Sequence, residues 1–352
     1  MVRVVDLGTN DAQRKTYVVV LCLISEKEKR SVMNEETTRK IGVVFPGQGS
    51  QRSGMGKDFY DNIPVSRETY HEASEILGWD VAAMCFGEDE RLDLTEYAQP
   101  CILATEIAML RGLRSLYGFI PEYFGGHSLG EYTALVAADV LPFPDALKIV
   151  RDRGCLMQKA APVGTGGMAA VIADDLDLGA VQGALNGLPM DIANDNSVSQ
   201  VVISGMSSAM PETEKRLRES MSDSQSFRFI PLNVSAPFHS RFMSAARETF
   251  GDILSDIEAK LKPANAKKVT SNFTGLFHSD SRSDIINRMV SQLSNTVQWR
   301  KNMEVLAASA TSIFEIGPGR PLRGFFKTLN LTCQSITTFS SAQRTLEKAV
   351  AL

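Results

Sequence analysis

From residue 41 almost to the end, short apolar runs alternate with longer stretches whose apolar positions recur every three or four residues. Ile41-Gly42-Val43-Val44-Phe45, closed by Pro46, has the length and composition of a buried strand. Helical periodicity follows over residues 65–77, 99–117, 131–138 and 144–160. Gly164-Thr165-Gly166-Gly167 interrupts it. Residues 168–172, 200–204 and 227–230 then read as strands, with helices over 178–185 and 211–222. Such a β-α-β-α-β stretch over residues 164–233 predicts a small ferredoxin-like α+β insertion. Helical patterning returns over 240–262 and 284–293, and a closing pair of strands is expected over 312–316 and 334–338. Alternation of this kind predicts an α/β fold with a mainly parallel sheet, its core built from residues 41–163 and 234–352.

The first 40 residues break the pattern. Residues 17–24 are an apolar run too short to span a bilayer, and Ser25-Glu26-Lys27 stands where a signal-peptide cleavage site needs small residues. Asp6, Asp11, Glu26 and Glu28 argue against a mitochondrial presequence. Residues 1–40 are therefore expected to be a poorly ordered extension, with Met33 as an alternative start. The expected location is cytoplasmic, or mitochondrial or plastid if the extension is a transit peptide. The remaining composition, 43% apolar and 22% charged with a net charge of −4, is that of a globular chain with no nucleic-acid footprint. Cys22, Cys85, Cys101, Cys155 and Cys333 are odd in number and form no C-x-x-C, which disfavours a disulfide framework or a zinc site.

Chemistry enters at Gly126-His127-Ser128-Leu129-Gly130, a G-x-S-x-G sequence between a short apolar segment and a helical run. That setting is a nucleophile elbow, a strand-to-helix turn with the serine hydroxyl at its apex. A serine nucleophile needs a base, and the chain has four histidines. His71 falls on a polar helix face, His127 adjoins the serine too closely to reach its hydroxyl, and His278 sits in a polar turn expected at the surface. His239, after a strand and the Pro237 turn, is the candidate base. Arg153 falls on the apolar stripe of its helix and so needs an anion, either an internal carboxylate or the carboxylate of a substrate. Pro46-Gly47-Gln48-Gly49-Ser50-Gln51 fails the dinucleotide fingerprint at Arg52, and Gly164-Thr165-Gly166-Gly167-Met168-Ala169 has its helix and strand in the wrong order. Gln48 can instead offer a backbone N–H to a developing oxyanion.

Together these segments resemble malonyl-CoA:acyl carrier protein transacylases and the acyltransferase domains of polyketide synthases. The resemblance rests on Phe45-Pro46-Gly47-Gln48-Gly49-Ser50-Gln51, Gln99-Pro100, Gly126-His127-Ser128-Leu129-Gly130-Glu131-Tyr132, Arg153-Gly154 with Met157-Gln158, and Asn196-Ser197 with Gln200-Val201-Val202-Ile203-Ser204-Gly205. It continues through Asn233-Val234-Ser235-Ala236-Pro237-Phe238-His239, Val297-Gln298-Trp299 and Glu315-Ile316-Gly317-Pro318-Gly319.

The resemblance implies a hydrolase-like α/β core with a ferredoxin-like subdomain, and a nucleophile at Ser128 with a base at His239. It assigns the substrate carboxylate to Arg153, the oxyanion to the backbone N–H groups of Gln48 and Leu129, and the orienting main-chain carbonyl to Gln292. Phe238, His127 and Gln158 would line the substrate pocket. The implied reaction moves malonyl from malonyl-CoA to acyl carrier protein through a malonyl-serine, in ping-pong order, without metal or other cofactor. Its setting would be fatty-acid synthesis; the alternatives are loading of polyketide carrier domains, and a serine thioesterase or hydrolase. The expected protein is a monomer that binds neither nucleic acid nor membrane. The acidic carrier would dock on basic residues, with Arg300, Lys301, Arg320, Arg323 and Lys327 as candidates.

Overall fold

A computed structural model describes residues 40–350 apart from 161, 163, 223 and 235. The N-terminal extension to residue 39, with Met33, lies outside the described residues. In chain order, β1 (Ile41–Phe45) leads through α1 (Lys57–Asn62), α2 (Pro64–Leu77), α3 (Val81–Phe86) and α4 (Thr95–Tyr117) to β2 (Tyr123–Gly126). Then come α5 (Leu129–Ala137), α6 (Phe143–Lys159), β3 (Gly166–Ile172), α7 (Leu178–Leu185), β4 (Met190–Ser197), β5 (Gln200–Met206), α8 (Met210–Ser220) and β6 (Arg228–Pro231). The chain closes with α9 (Ala245–Ser255), α10 (Arg282–Gln292), α11 (Trp299–Ser309), β7 (Ser312–Ile316), α12 (Pro321–Thr328), β8 (Cys333–Ile336) and α13 (Phe339–Val350).

The first sheet is wholly parallel in the order β2-β1-β7-β8. Both its faces are covered, which is why β1 reads as a continuous apolar run: Val43 and Phe45 enter the main core, while Val44 faces Trp299 and Leu306 on the other side. Helix α4 is buried on nearly every side, from Ala98 through Leu110 without a break, and forms the spine of the main core.

The second sheet is antiparallel, ordered β4-β5-β3-β6, and with α7 and α8 it completes the β-α-β-β-α-β pattern of a ferredoxin-like unit. Alternate residues of β3 serve different cores: Ala169 and Val171 pack under α7 and α8, whereas Met168 and Ala170 join the main core. The fold is thus the α/β core with a ferredoxin-like subdomain.

Local differences have local causes. Strand β4 has no counterpart in the hydrophobic pattern because Met190-Asp191-Ile192-Ala193-Asn194-Asp195-Asn196-Ser197 is rich in residues depleted from strands. The helix expected over 240–262 is broken: a 3₁₀ turn occupies Arg241–Met243, and α9 stops at Ser255. Helix α4 begins at Thr95, so Pro100 lies inside it, and α11, α12 and α13 escaped the periodicity reading altogether.

Candidate active site

The β1, β2 and β7 strands end on one side of the parallel sheet, the edge where open α/β folds place their chemistry. From β2 the chain turns at once into α5, with Ser128 at the junction at a positive φ of 54° and a ψ of −101°. The flanking glycines are required by contact rather than by torsion. A Cβ on Gly126 would stand 2.0 Å from the Gly130 carbonyl, and one on Gly130 would stand 2.1 Å from the Phe45 carbonyl oxygen. Gly47 likewise lets the loop after β1 lie on the elbow, since a Cβ there would meet the His127 carbonyl oxygen at 2.4 Å. The Gln48 loop is thereby brought beside Leu129, whose N–H opens α5 and has no carbonyl a turn earlier to satisfy it.

Five described non-glycine residues have positive φ; Asp139, Asp175, Asn330 and His239 are of types enriched there and Ser128 is not, and the set includes both Ser128 and His239. These two meet: Ser128 Oγ lies 2.7 Å from His239 Nε2. On the far side of the ring, Nδ1 lies 2.8 Å from the Gln292 carbonyl oxygen. A carbonyl only accepts, so Nδ1 carries the proton and Nε2 is left as the acceptor for the serine hydroxyl. Burial, with the nearby Arg153 charge as the next cause, pushes the His239 pKa down to about 3, against the opposing Gln292 carbonyl. The ring is therefore neutral at working pH.

Arg153 is 1% exposed on the inner face of α6. Its guanidinium donates to Gln99 Oε1 at 2.9 Å, Gln292 Oε1 at 2.9 Å and Ser128 Oγ at 3.1 Å, and it lies over the Tyr132 ring. No carboxylate among the described residues pairs with it, and Nε has no acceptor there. Desolvation accordingly lowers its pKa. Among the described residues no internal carboxylate lies within ion-pair distance of Arg153, and the buried Glu131 acts on it only through space.

Phe238 is buried in the main core beside His239. His127 reaches Asn196 Oδ1 at 2.8 Å and packs edge-on against Trp299, with its pKa lowered by burial. Gln158 lies further out, joined to the Gln48 side chain through the Thr95 hydroxyl. A cleft of about 520 Å³ between β4 and residues 294–298 reaches His239 and is lined by Asp191, Asp195, Thr296 and Gln298.

Two expectations change. His278 is not at the surface: it is 2% exposed, and its Nε2 lies 2.8 Å from Glu131 Oε1. Arg300 is engaged with the buried Asp195 at 2.9 Å, leaving Lys301, Arg320, Arg323 and Lys327 as the exposed members of the basic set. His71 is exposed, as expected from its polar face.

Residues outside the motifs complete the site. Asn272 staples the elbow, accepting the Ser128 N–H on Oδ1 at 2.6 Å and donating from Nδ2 to the Gly126 carbonyl at 2.8 Å. The Gln292 side chain donates to the Ser128 carbonyl and to Glu131 Oε2, both at 2.8 Å. Nothing in local patterning reveals partners more than 140 residues apart, such as Asn272 and Ser128.

A strained serine on a strand-to-helix elbow, a neutral histidine at its hydroxyl and the N–H group of a helix start beside it define a serine acyl-transfer site. Residues 43–318 match the acyl transferase domain model, and the chain belongs to that family. It is 37% identical over 316 residues to the malonyl CoA-acyl carrier protein transacylase of Bacillus subtilis, covering 88% of this chain and 96% of that protein. The solved malonyl CoA-acyl carrier protein transacylase of Clostridium perfringens superposes with a TM-score of 0.80 at 33% identity, covering 89% of this chain and 98% of that one. A malonyl-transacylase solved in complex with a type II PKS acyl-carrier protein gives 0.79 at 33% identity, covering 88% and 99%.

Proposed function

We propose that this protein is an acyl carrier protein S-malonyltransferase working through a malonyl-serine, and that it serves fatty-acid synthesis. The carrying observation is Arg153, a buried cation beside the nucleophile that no carboxylate among the described residues pairs with. A thioester acyl group ending in a carboxylate supplies that missing anion, which a plain acyl chain cannot.

Ser128 Oγ attacks the thioester carbonyl as its proton passes to His239 Nε2, whose ring is steered by the Gln292 carbonyl. The Gln48 and Leu129 N–H groups receive the oxyanion, each such donor being worth about 3–4 kcal/mol. The imidazolium returns the proton to the departing CoA thiolate. The carrier's phosphopantetheine thiol then reverses the sequence on the ester and regenerates Ser128. Phe238, His127 and Gln158 would shape the pocket, and the scheme needs no group beyond the CoA thioester and the carrier's phosphopantetheine. A hydrolase reading is disfavoured because Arg153 would be left without a task.

Exposed Arg320 and Arg323 flank the start of α12, just beyond the active edge of β7, and suit an acidic carrier. Replacing both by Ala should raise the KM for carrier protein while leaving the KM for malonyl-CoA in place. The similarity to the PKS-associated enzyme supports polyketide carriers as a second reading, and comparing transfer rates to the two kinds of holo carrier separates them. The central test is intact-protein mass spectrometry after mixing with malonyl-CoA and acetyl-CoA. A malonyl adduct is expected on the wild type and none on Ser128→Ala; an adduct surviving that change refutes the assignment.

A further inference from the structure

The imidazole of His239 leans on a main-chain carbonyl, so the site has no carboxylate where a triad would place one. A carboxylate is nevertheless present one layer behind. Glu131, on the first turn of α5, is wholly buried, and no Lys or Arg among the described residues pairs with it. It accepts instead from the Asn272 N–H at 3.0 Å, His278 Nε2 at 2.8 Å and Gln292 Nε2 at 2.8 Å.

Gln292 is the residue through which this acid reaches the chemistry. Its main-chain carbonyl holds His239, its Oε1 accepts from Arg153, and its Nε2 donates to the Ser128 carbonyl as well as to Glu131. The two ends of a glutamine amide are nearly the same shape, so something must choose which faces Arg153. A carboxylate accepts and never donates. If the amide were reversed, its oxygen would face Glu131 and its NH₂ would face the guanidinium, two repulsive pairs in a buried place.

We propose that Glu131 is a positioning residue that fixes the orientation of the Gln292 amide and thereby aligns Arg153 with Ser128. His278, donating a hydrogen bond from Nε2 to the same carboxylate, and Asn272, donating one from its N–H, hold Glu131 in that task. The inference rests on the roles proposed above for Ser128, His239 and Arg153. A residue that merely filled space under the elbow would affect stability and leave turnover per folded site unchanged.

The test is a double-mutant cycle in the full chain with Glu131→Gln and Gln292→Leu, the latter retaining the main-chain carbonyl. Loaded sites are counted by mass spectrometry, kcat and KM are measured for malonyl-CoA and acetyl-CoA with holo carrier protein, and melting is followed separately. Each single change should lower malonyl kcat per site by about tenfold or more, with the preference for malonyl over acetyl reduced. The double variant should be no worse than the poorer single one, because with the Gln292 amide gone Glu131 has nothing left to orient. Independent, multiplying effects would overturn the proposal, as would Glu131→Gln turning over within about twofold of wild type with only a lower Tm. Should Glu131→Gln fail to fold, Glu131→Met is put through the same cycle in its place, an unchanged malonyl kcat per folded site sinking the idea. An inert Ser128→Ala with a fully active Glu131→Gln removes this inference only; an active Ser128→Ala removes the reading beneath it.

Discussion

Replacing Arg153 by Met separates what this side chain does for substrate from what it does for the fold. A buried cation paired with a carboxylate costs about 3–5 kcal/mol to remove, because the partner is left charged and dry. Arg153 has neutral partners: the Gln99 and Gln292 amide oxygens, the Ser128 hydroxyl and the Tyr132 ring. Its removal strands two amide oxygens, at about 1–3 kcal/mol each, and relieves a desolvation penalty of several kcal/mol. With Met filling the space, the two nearly cancel, and the net change should lie within about 2 kcal/mol. Substrate discrimination should respond quite differently. Losing a forked contact to a carboxylate forfeits about 3–6 kcal/mol, or on the order of 100-fold or more in kcat/KM for malonyl-CoA. Thermal melting and loading assays with malonyl-CoA and acetyl-CoA read both effects. A Tm fall beyond about 6 °C would show that a buried anion had been paired with Arg153 after all. Undiminished malonyl loading would refute its place in substrate binding.

Other expectations follow from the same geometry. Gly126→Ala and Gly130→Ala each drive a Cβ into backbone about 2 Å away, so each should destabilise by about 3 kcal/mol or more and abolish loading; a folded, active variant in a melting and loading assay contradicts the close approach. His239, with its folded pKa near 3 against about 6.5 when unfolded, stays neutral in the native state while the unfolded chain takes up a proton. Its contribution should erode stability as pH falls from 6.5 toward 3, and His239→Gln should flatten that part of the Tm–pH curve. Burial raises Glu315 to about 7 although it accepts the Leu322 and Arg323 N–H groups, so its ionisation should cost stability as pH rises from about 4.5 through 7. Glu315→Gln should therefore compare better with wild type at pH 8 than at pH 5 in melting experiments.

Ser128, His239 and the inward Arg153 were legible as candidates because each breaks a local rule: a glycine-flanked serine at a strand end, a histidine after a proline turn, a cation on an apolar stripe. The strand β4 was not. Its buried Asp195 and Asn196 conform to a strand only because Arg300 and His127 meet them there. His278 misled for the same reason. Its neighbours Ser279, Asp280 and Ser281 are loop residues, and the Glu131 that draws it inward is 147 positions away. Polar residues buried by long-range partners leave no periodicity behind.

The edge of the ferredoxin-like sheet is sewn into the larger body. Val297 exchanges backbone hydrogen bonds with Ala193 and Asp195, the Thr296 hydroxyl donates to the Ile192 carbonyl, and Arg300 grips Asp195. That seam begins only a few residues after Gln292, whose carbonyl faces the imidazole. For protein engineering, the exchangeable module is therefore not the contiguous stretch from residue 164 to 233. A chimera cut at those two points would keep the host's 294–300 segment against a foreign strand, and any mismatch would be delivered straight to the ring of His239. A graft meant to change the acyl carrier or the acyl group should carry residues 294–300 with it.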